Sequence, residues 1–408
     1  MRILLVCPFF PPENAIAALR IAKFAEHWAD AGHEVQVVAR EPVTVGSTFS
    51  PRPDVVVHRI ADPLAAASRA SLDASTRPSG TSGRWVRRTK SVVKRLVWPD
   101  VFFPWAVRAY RKHRALAEFD IVVASVGPFS ALLLGAAIAR ARDAALVVDY
   151  RDLLATGPYY EHGPVRRFID TWVEERLVTR AALLAGVSAP MVGDLESKFG
   201  VPSVTVMNGF EPREFETFSY EPSGTALRIV YCGAIYPGRR DPSALFEAIR
   251  ILQEEDAGVH VRVDFYGRNL DEVSLAAARY GVEESVFVHG QVEHAESLRL
   301  QAEADLLLLL LWNDPREAGV LSGKLFEYIG ARRPVLMLGL ETGAAAHLVR
   351  AHQLGLVSNE ARLIAAYLRE RASEKATTGC VVAPPATASE QFTRLAQSDR
   401  FREALEAL

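Results

Sequence analysis

Short apolar runs alternate with amphipathic stretches along the whole chain. RILLVCPF, at the N-terminus, has the continuous hydrophobicity of a strand buried on both faces. AALRIAKFAEHWADAG carries apolar residues at helical spacing and stops at Gly32, and HEVQVVAR returns to a strand. A strand–helix–strand opening predicts a parallel sheet with helices on its faces. DVVVHRI, FDIVVASV, AALVVDY, ALLAGVS and VTVMN continue the series to about residue 208. A second series starts near residue 226 with LRIVYCG and runs through VHVRVDFYG, VFVHG, DLLLLLLW, PVLML and GLVSN. Between them the polar, aromatic GFEPREFETFSYEPSGTA suits a linker. The pattern predicts two α/β domains, residues 1–215 and 226–387, with a closing helix over about 388–408 that packs back on the first. Parallel sheets bind ligands at the C-terminal ends of their strands, so a cleft between two such domains is the expected site. Residues 66–90, rich in Ser, Ala, Thr, Arg and Gly, read as a mobile loop.

Composition narrows the class. The 408 residues are enough for two domains, and 49% hydrophobic with 24% charged residues is an ordinary soluble composition. A net charge of -2 argues against nucleic acid as a partner. Cys7, Cys232 and Cys380 are far apart, and two lie in strand-like runs, which favours buried thiols over disulfides or metal ligands. The His residues show no ligand spacing, so no metal is expected. The N-terminal apolar run is too short for a signal peptide and no run reaches a membrane span, so a cytoplasmic protein is expected.

Two segments have the makings of chemistry. In GVLSGKLFEYIGARRPVLML, Ser322 and Gly323 open a helix whose first turn carries Lys324 and Glu327. A helix N-terminus with a lysine suits a phosphate, and a carboxylate one turn on can accept both hydroxyls of a ribose. The plain alternative is a surface ion pair at i,i+3. In VYCGAIYPGRRDPSALFEAI, a strand ends at Gly233 and a loop brings Arg239 and Arg240 to the start of a helix. Guanidinium forks match a diphosphate, unless these two merely solvate the loop. Asp241 and Pro242 read as a helix start.

These segments resemble the GT-B-fold glycosyltransferases, in particular the retaining, family 4-like enzymes. The resemblance spans PFFPPENAIAALR, GHEVQVVA, DYRDLL, VSAPMVGDLESKFG, VMNGFEP, CGAIYPGRRDP, DFYG, VFVHGQV and SGKLFEYIGARRPVL, in the family's order. It implies an α/β, GT-B fold of two Rossmann-like parallel-sheet domains facing a central cleft, the second holding a nucleotide-diphosphate sugar, with UDP-sugar favoured. It implies no cofactor. Glu327 falls where the family holds the ribose, and Arg239 where it has a phosphate-binding lysine; the motif's arginine falls on Ala234. Gly233, Arg240, Gly267, Ser322, Gly323 and Lys324 complete the implied donor site. The family's first motif glutamate falls on Gly319, so Glu317 is the candidate contact to the sugar, with Asn14 and Ala15 closing from the first loop. The segment GKLFEY resembles a subgroup reading G-K-x-F-E-Y.

Asp149, Arg151 and Asp152 end the strand ALVVDY, on the acceptor side of the resembling enzymes. Asp152 is the candidate that orients or deprotonates an acceptor hydroxyl; a structural Asp–Arg pair is the alternative. Between Trp85 and Arg114 nine Lys or Arg interleave with aromatics against one acid, Asp100. Such an element suits an anionic membrane surface, and a helix with a core-facing aromatic stripe is the alternative. The expected reaction moves a sugar to a hydroxyl acceptor, a lipid-linked or polysaccharide precursor, on the inner face of the cell membrane or free of it. A nucleotide-sugar epimerase and a non-catalytic nucleotide- or glycan-binding protein are the rival readings.

Overall fold

The computed structural model describes residues 1–13, 16–42, 52–64, 98–112, 118–157, 160, 162–222, 224–256 and 258–408. Asn14, Ala15, the loop 66–90 and residues 85–97 and 113–114 of the basic stretch lie outside the described residues. The chain forms two compact units, residues 1–206 with 398–408, and residues 207–397.

In the first unit, β1 (Arg2–Val6), β2 (Glu34–Arg40), β3 (Val56–Ile60), β4 (Ile121–Val126), β5 (Ala145–Tyr150), β6 (Leu183–Gly186) and β7 (Ser203–Thr205) make one sheet. Its order is β3-β2-β1-β4-β5-β6-β7, and its paired strands run parallel. The helices are α1 (Ile16–Asp30), α2 (Phe103–Lys112), α3 (Phe129–Arg142), α4 (Pro164–Val178) and α5 (Ala189–Phe199). Both faces of the sheet are covered, which is why its strands read as unbroken apolar runs. Along β1, Ile3 and Leu5 pack with Ile21 and Trp28 of α1, whereas Leu4 and Val6 pack with Leu132 and Ile138 of α3. Phe401 joins the first of these cores, its ring edge-on to Trp28 at 5.4 Å.

The second unit repeats the plan. β8 (Leu227–Cys232), β9 (Val261–Tyr266), β10 (Val286–Gly290), β11 (Leu306–Leu310), β12 (Val335–Leu338) and β13 (Gly355–Val357) are ordered β10-β9-β8-β11-β12-β13, again parallel. Its helices are α6 (Ser243–Glu255), α7 (Asp271–Tyr280), α8 (His294–Ala302), α9 (Gly323–Ala331), α10 (Ala344–Ala351) and α11 (Ala361–Thr378), and α12 (Arg394–Glu406) closes the chain. Ile229 and Tyr231 face one core, Val230 and Cys232 the other. The fold is thus α/β, two Rossmann-like parallel sheets of seven and six strands.

Asp305, just before β11, ties the linker to this unit. Its buried carboxylate accepts from Arg228 N at 2.7 Å, from Lys375 Nζ of α11 at 2.6 Å, and from the Tyr220 hydroxyl. Among the described residues, no helix is long and apolar enough to cross a membrane.

Candidate functional site

The C-terminal edge of the second sheet gathers most of the residues singled out in the sequence. Ser322 caps α9, its Oγ accepting from Lys324 N at 3.4 Å. Gly323 opens the helix, and nothing stands within 4 Å of where a Cβ would be. The first amides of α9 therefore have room for a ligand to approach.

Lys324 does not extend into solvent. Its side chain crosses the end of β8, where a Cβ on Gly233 would stand 2.1 Å from Lys324 Cε. Beside it, Gly267 has φ +143°, and a Cβ there would meet Gly233 O at 1.9 Å. Gly267 N also donates to Gly290 O at 2.6 Å. Gly233 and Gly267 thus let backbone and the lysine stem pack where no side chain fits.

The charges around Lys324 are mostly alike. Burial lowers the pKa of its ammonium, and the positive charges of Arg240 and Arg268 push the same way, against Glu327. Among the described residues, no carboxylate forms an ion pair with it. Arg240 is fixed by a bond from Nη1 to Ala234 O at 2.9 Å and lies over the Tyr236 ring at 4.5 Å. Arg239 is exposed and turns to Trp312, beyond β11, its guanidinium 4.8 Å from the ring centre; Arg316 covers the same ring at 4.3 Å. The neighbouring arginines of the loop therefore part company, and Arg240 is the one whose charge reaches Lys324. Asp241 ends the loop, its Oδ1 accepting from Ser243 N at 2.9 Å at the start of α6.

Glu327 is half-buried. Its Oε2 accepts from Gln301 Nε2 at 3.1 Å, and the same amide donates to Ser297 Oγ at 3.0 Å. Gln301 is fully buried in α8, so it fixes the carboxylate from behind and leaves Glu327 Oε1 without a partner among the described residues. His294 lies close enough to feel Glu327; its pKa is raised first by Glu214, 3.9 Å away. Glu317 sits in the single 3₁₀ turn Pro315–Glu317, only 7% exposed, and burial raises its pKa. A buried carboxyl of this kind holds its proton more readily and can donate a hydrogen bond.

The first unit has a polar cluster of its own beyond β1, β4 and β5. Asp152 is exposed on the loop after β5, near enough for its charge to hold up the pKa of Arg151 against burial. The Asp–Arg pair at this edge is made by Asp149 with Arg20 of α1, at 3.1 Å, rather than with Arg151. Asp149 also accepts from Ser125 Oγ at 3.0 Å, and Arg151 donates to Gly127 O. The first loop is clamped by Arg40, whose Nη2 donates to Glu13 Oε1 at 2.7 Å and Nη1 to Asp62 Oδ2 at 3.4 Å. Arg59 adds bonds to the carbonyls of Phe10 and Pro11.

Sequence reasoning missed Gln301, Arg268 and the Glu13–Arg40–Asp62 clamp. Arg268 had a signal, since it follows the strand and glycine of DFYG. Gln301 had none, being one polar residue in a helix of mixed polarity. Among the described residues, no group of three or more His, Cys, Asp or Glu is placed to hold a metal.

Residues 17–209 match the family model described as "Glycosyl transferase 4-like domain", and residues 226–372 that described as "Glycosyl transferases group 1". None of the curated proteins matches the sequence. Among solved structures, Anabaena HepE in complex with UDP and glucose is similar with TM-score 0.66 and 16% identity, over 100% of both chains. The lipopolysaccharide outer core galactosyltransferase WaaB gives 0.61 at 11% identity, over 100% of this chain and 99% of its own. Sucrose-phosphate synthase from Thermosynechococcus elongatus gives 0.61 at 13% identity, over 100% of both chains. At these identities the likeness is one of fold, the GT-B arrangement of two Rossmann-like domains.

Proposed function

Two glycosyltransferase domains, 4-like and group 1, make up this chain, and we propose that it is a retaining enzyme that moves a sugar from a nucleoside diphosphate to a hydroxyl acceptor. The observation that carries the reading is the cation cluster of Lys324, Arg240 and Arg268 beside the open N-terminus of α9. Burial and the neighbouring arginine charges, only partly offset by Glu327, disfavour the Lys324 ammonium in the empty site, and a diphosphate relieves this. Glu327, braced by Gln301, suits the ribose diol, and UDP is the favoured carrier. Glu317 is the candidate for a hydroxyl of the transferred sugar.

The acceptor is read as a lipid-linked or polysaccharide precursor, its hydroxyl oriented by Asp152. In the proposed step the acceptor oxygen attacks the anomeric carbon on the face from which the diphosphate departs. The bond from carbon to phosphate oxygen breaks with its electron pair on that oxygen, and the acceptor's proton passes to the departing phosphate. Configuration is therefore retained. Arg240, whose charge reaches Lys324, is the better placed of the two loop arginines to stabilise the charge gained by the leaving group, a role that favours the transition state over the bound substrate. Arg239, the arginine read from the sequence for that role, would have to turn from Trp312 to share it.

A thermal-shift screen with UDP, GDP, dTDP and their sugars tests the donor. A nucleotide that binds the native state raises its melting temperature, by the equivalent of about 2.7 kcal/mol at a hundred times Kd. Lys324→Met should diminish the shift. No shift with any nucleotide would overturn the reading, and a product of inverted anomeric configuration by NMR would overturn retention alone.

A further inference from the structure

Helix α4 turns apolar side chains both ways, and Val173, Leu177 and Val178 pack into the core of the first unit. Its inward positions include Asp170 and Glu174, 3% and 1% exposed. Its outward stripe is Val165, Phe168, Ile169 and Trp172, at 74%, 73%, 41% and 54% exposure. The spacing i, i+3, i+4, i+7 places these four on one face. The inward carboxylates are well satisfied. Asp170 accepts from Trp98 Nε1 and Tyr160 Oη at 2.8 Å and from Arg166 Nε at 2.9 Å, and Glu174 from Tyr150 Oη at 2.9 Å and Lys198 Nζ at 3.3 Å. An ordinary surface helix has a polar outer face, and soluble chains seldom cluster large exposed apolar side chains. The stripe is suited to an apolar medium outside the protein.

Charge says which medium. Arg176 lies over the Trp172 ring at 5.5 Å and Arg167 over Tyr160 at 5.0 Å, so cations flank the apolar face. Glu175 is the one exposed acid of the helix, and Arg180 follows its end. Trp98 continues the surface: it is 36% exposed, bonded to Asp170, and its ring lies 6.3 Å from that of Phe103 at the start of α2. Arg108, Arg111 and Lys112 of α2 are exposed, while Asp100 turns inward, taking bonds from Ser130 N at 2.8 Å and Ser130 Oγ at 2.6 Å. Tryptophan and aliphatic side chains among arginines, with Asp100, Asp170 and Glu174 turned inward and Glu175 alone of the helix acids exposed, complement the interface of an anionic bilayer.

We propose that α4 is a membrane-contacting helix, which inserts Val165, Phe168, Ile169 and Trp172 into the headgroup region of an anionic lipid surface. It follows β5 through the loop that carries Asp152, so lipid contact would bring the acceptor side of the protein to the bilayer. The inference deepens the reading of a lipid-linked acceptor and rests on it for the purpose of the contact, not for its physical basis.

The test is co-sedimentation with phosphatidylcholine vesicles, with and without phosphatidylglycerol, at low and high salt. Wild type should bind the anionic vesicles, less so at high salt. A Phe168→Ser, Trp172→Ser double variant should bind about 100-fold more weakly. Because both side chains are exposed, its melting temperature should be unchanged. With brominated lipid, quenching of tryptophan emission should diminish in Trp172→Phe. Failure of wild type to bind, or equal binding by the double variant, would overturn the proposal. So would a dimer in lipid-free buffer that the double variant abolishes, since a second copy would then cover the stripe. The nucleotide thermal shift is read separately: vesicle binding without it sinks the donor reading and leaves the helix assignment standing.

Discussion

Glu327 has one carboxylate oxygen engaged by Gln301 and the other open, which is half of what a diol needs already in position. Glu327→Ala should weaken nucleotide-sugar binding by about 2 to 4 kcal/mol if both hydroxyls bond to it. Isothermal titration of a folded variant checks this, and unaltered affinity would remove the ribose assignment. Lys324 adds a pH signature. Burial and Arg240 lower its pKa in the free protein, and a bound diphosphate favours the charged form. Affinity should hold below that lowered pKa and fall as pH rises through it, by at most about tenfold per pH unit. Titrations toward alkaline pH, repeated with Lys324→Met, should show a slope in wild type that the variant lacks.

Among the elements, strands were plain in the sequence because both sheet faces are covered, so runs such as LLLLL of β11 carry no polar residue. The start of α9 was plain as well, because Ser322 and Gly323 are cap residues whose placement is local chemistry. What periodicity does not reveal is which stripe of a helix turns inward. PVRRFIDTWVEERLV has an apolar and a charged side like any amphipathic helix, and only tertiary partners such as Tyr150 and Lys198 show that its acids are inside. The junction around Asp305 was hidden for the same reason, being assembled from residues 220, 228, 305 and 375. It makes a prediction for α11. Lys375 and Asp305 are both buried, so Lys375→Met leaves a charge short of its partner and should lower stability by about 3 kcal/mol or more. Denaturant unfolding measures it, and a loss under 1 kcal/mol would show the junction to be dispensable, as roughly expected of a surface pair.

For the whole molecule, the thiols report on compactness. Burial pushes Cys7 up to about 12 and Cys232 up to about 11, whereas Cys380 is half-exposed. The thiolate is the reactive form, so the native protein at neutral pH should take up one equivalent of an alkylating reagent, at Cys380, and three in denaturant. Mass spectrometry of labelled peptides decides it; prompt labelling of Cys7 or Cys232 would mean that a sheet edge opens readily.

The interlock of Gly233, Gly267 and Gly290 has a consequence for how such a protein changes over generations. Where the strand ends are bare main chain, a single substitution has almost no way to alter what they present, except by clashing. Gly267 in particular tolerates no side chain against Gly233 O. The segments around it, such as the 3₁₀ turn of Glu317 or the loop of Arg239, are under no such restraint. On the proposed reading, variation would thereby be steered away from the shared, charged part of a donor and toward the parts that distinguish one sugar from another. A lineage built on this edge could then exchange one donor for the next while the proposed anchor for the diphosphate stays as it is.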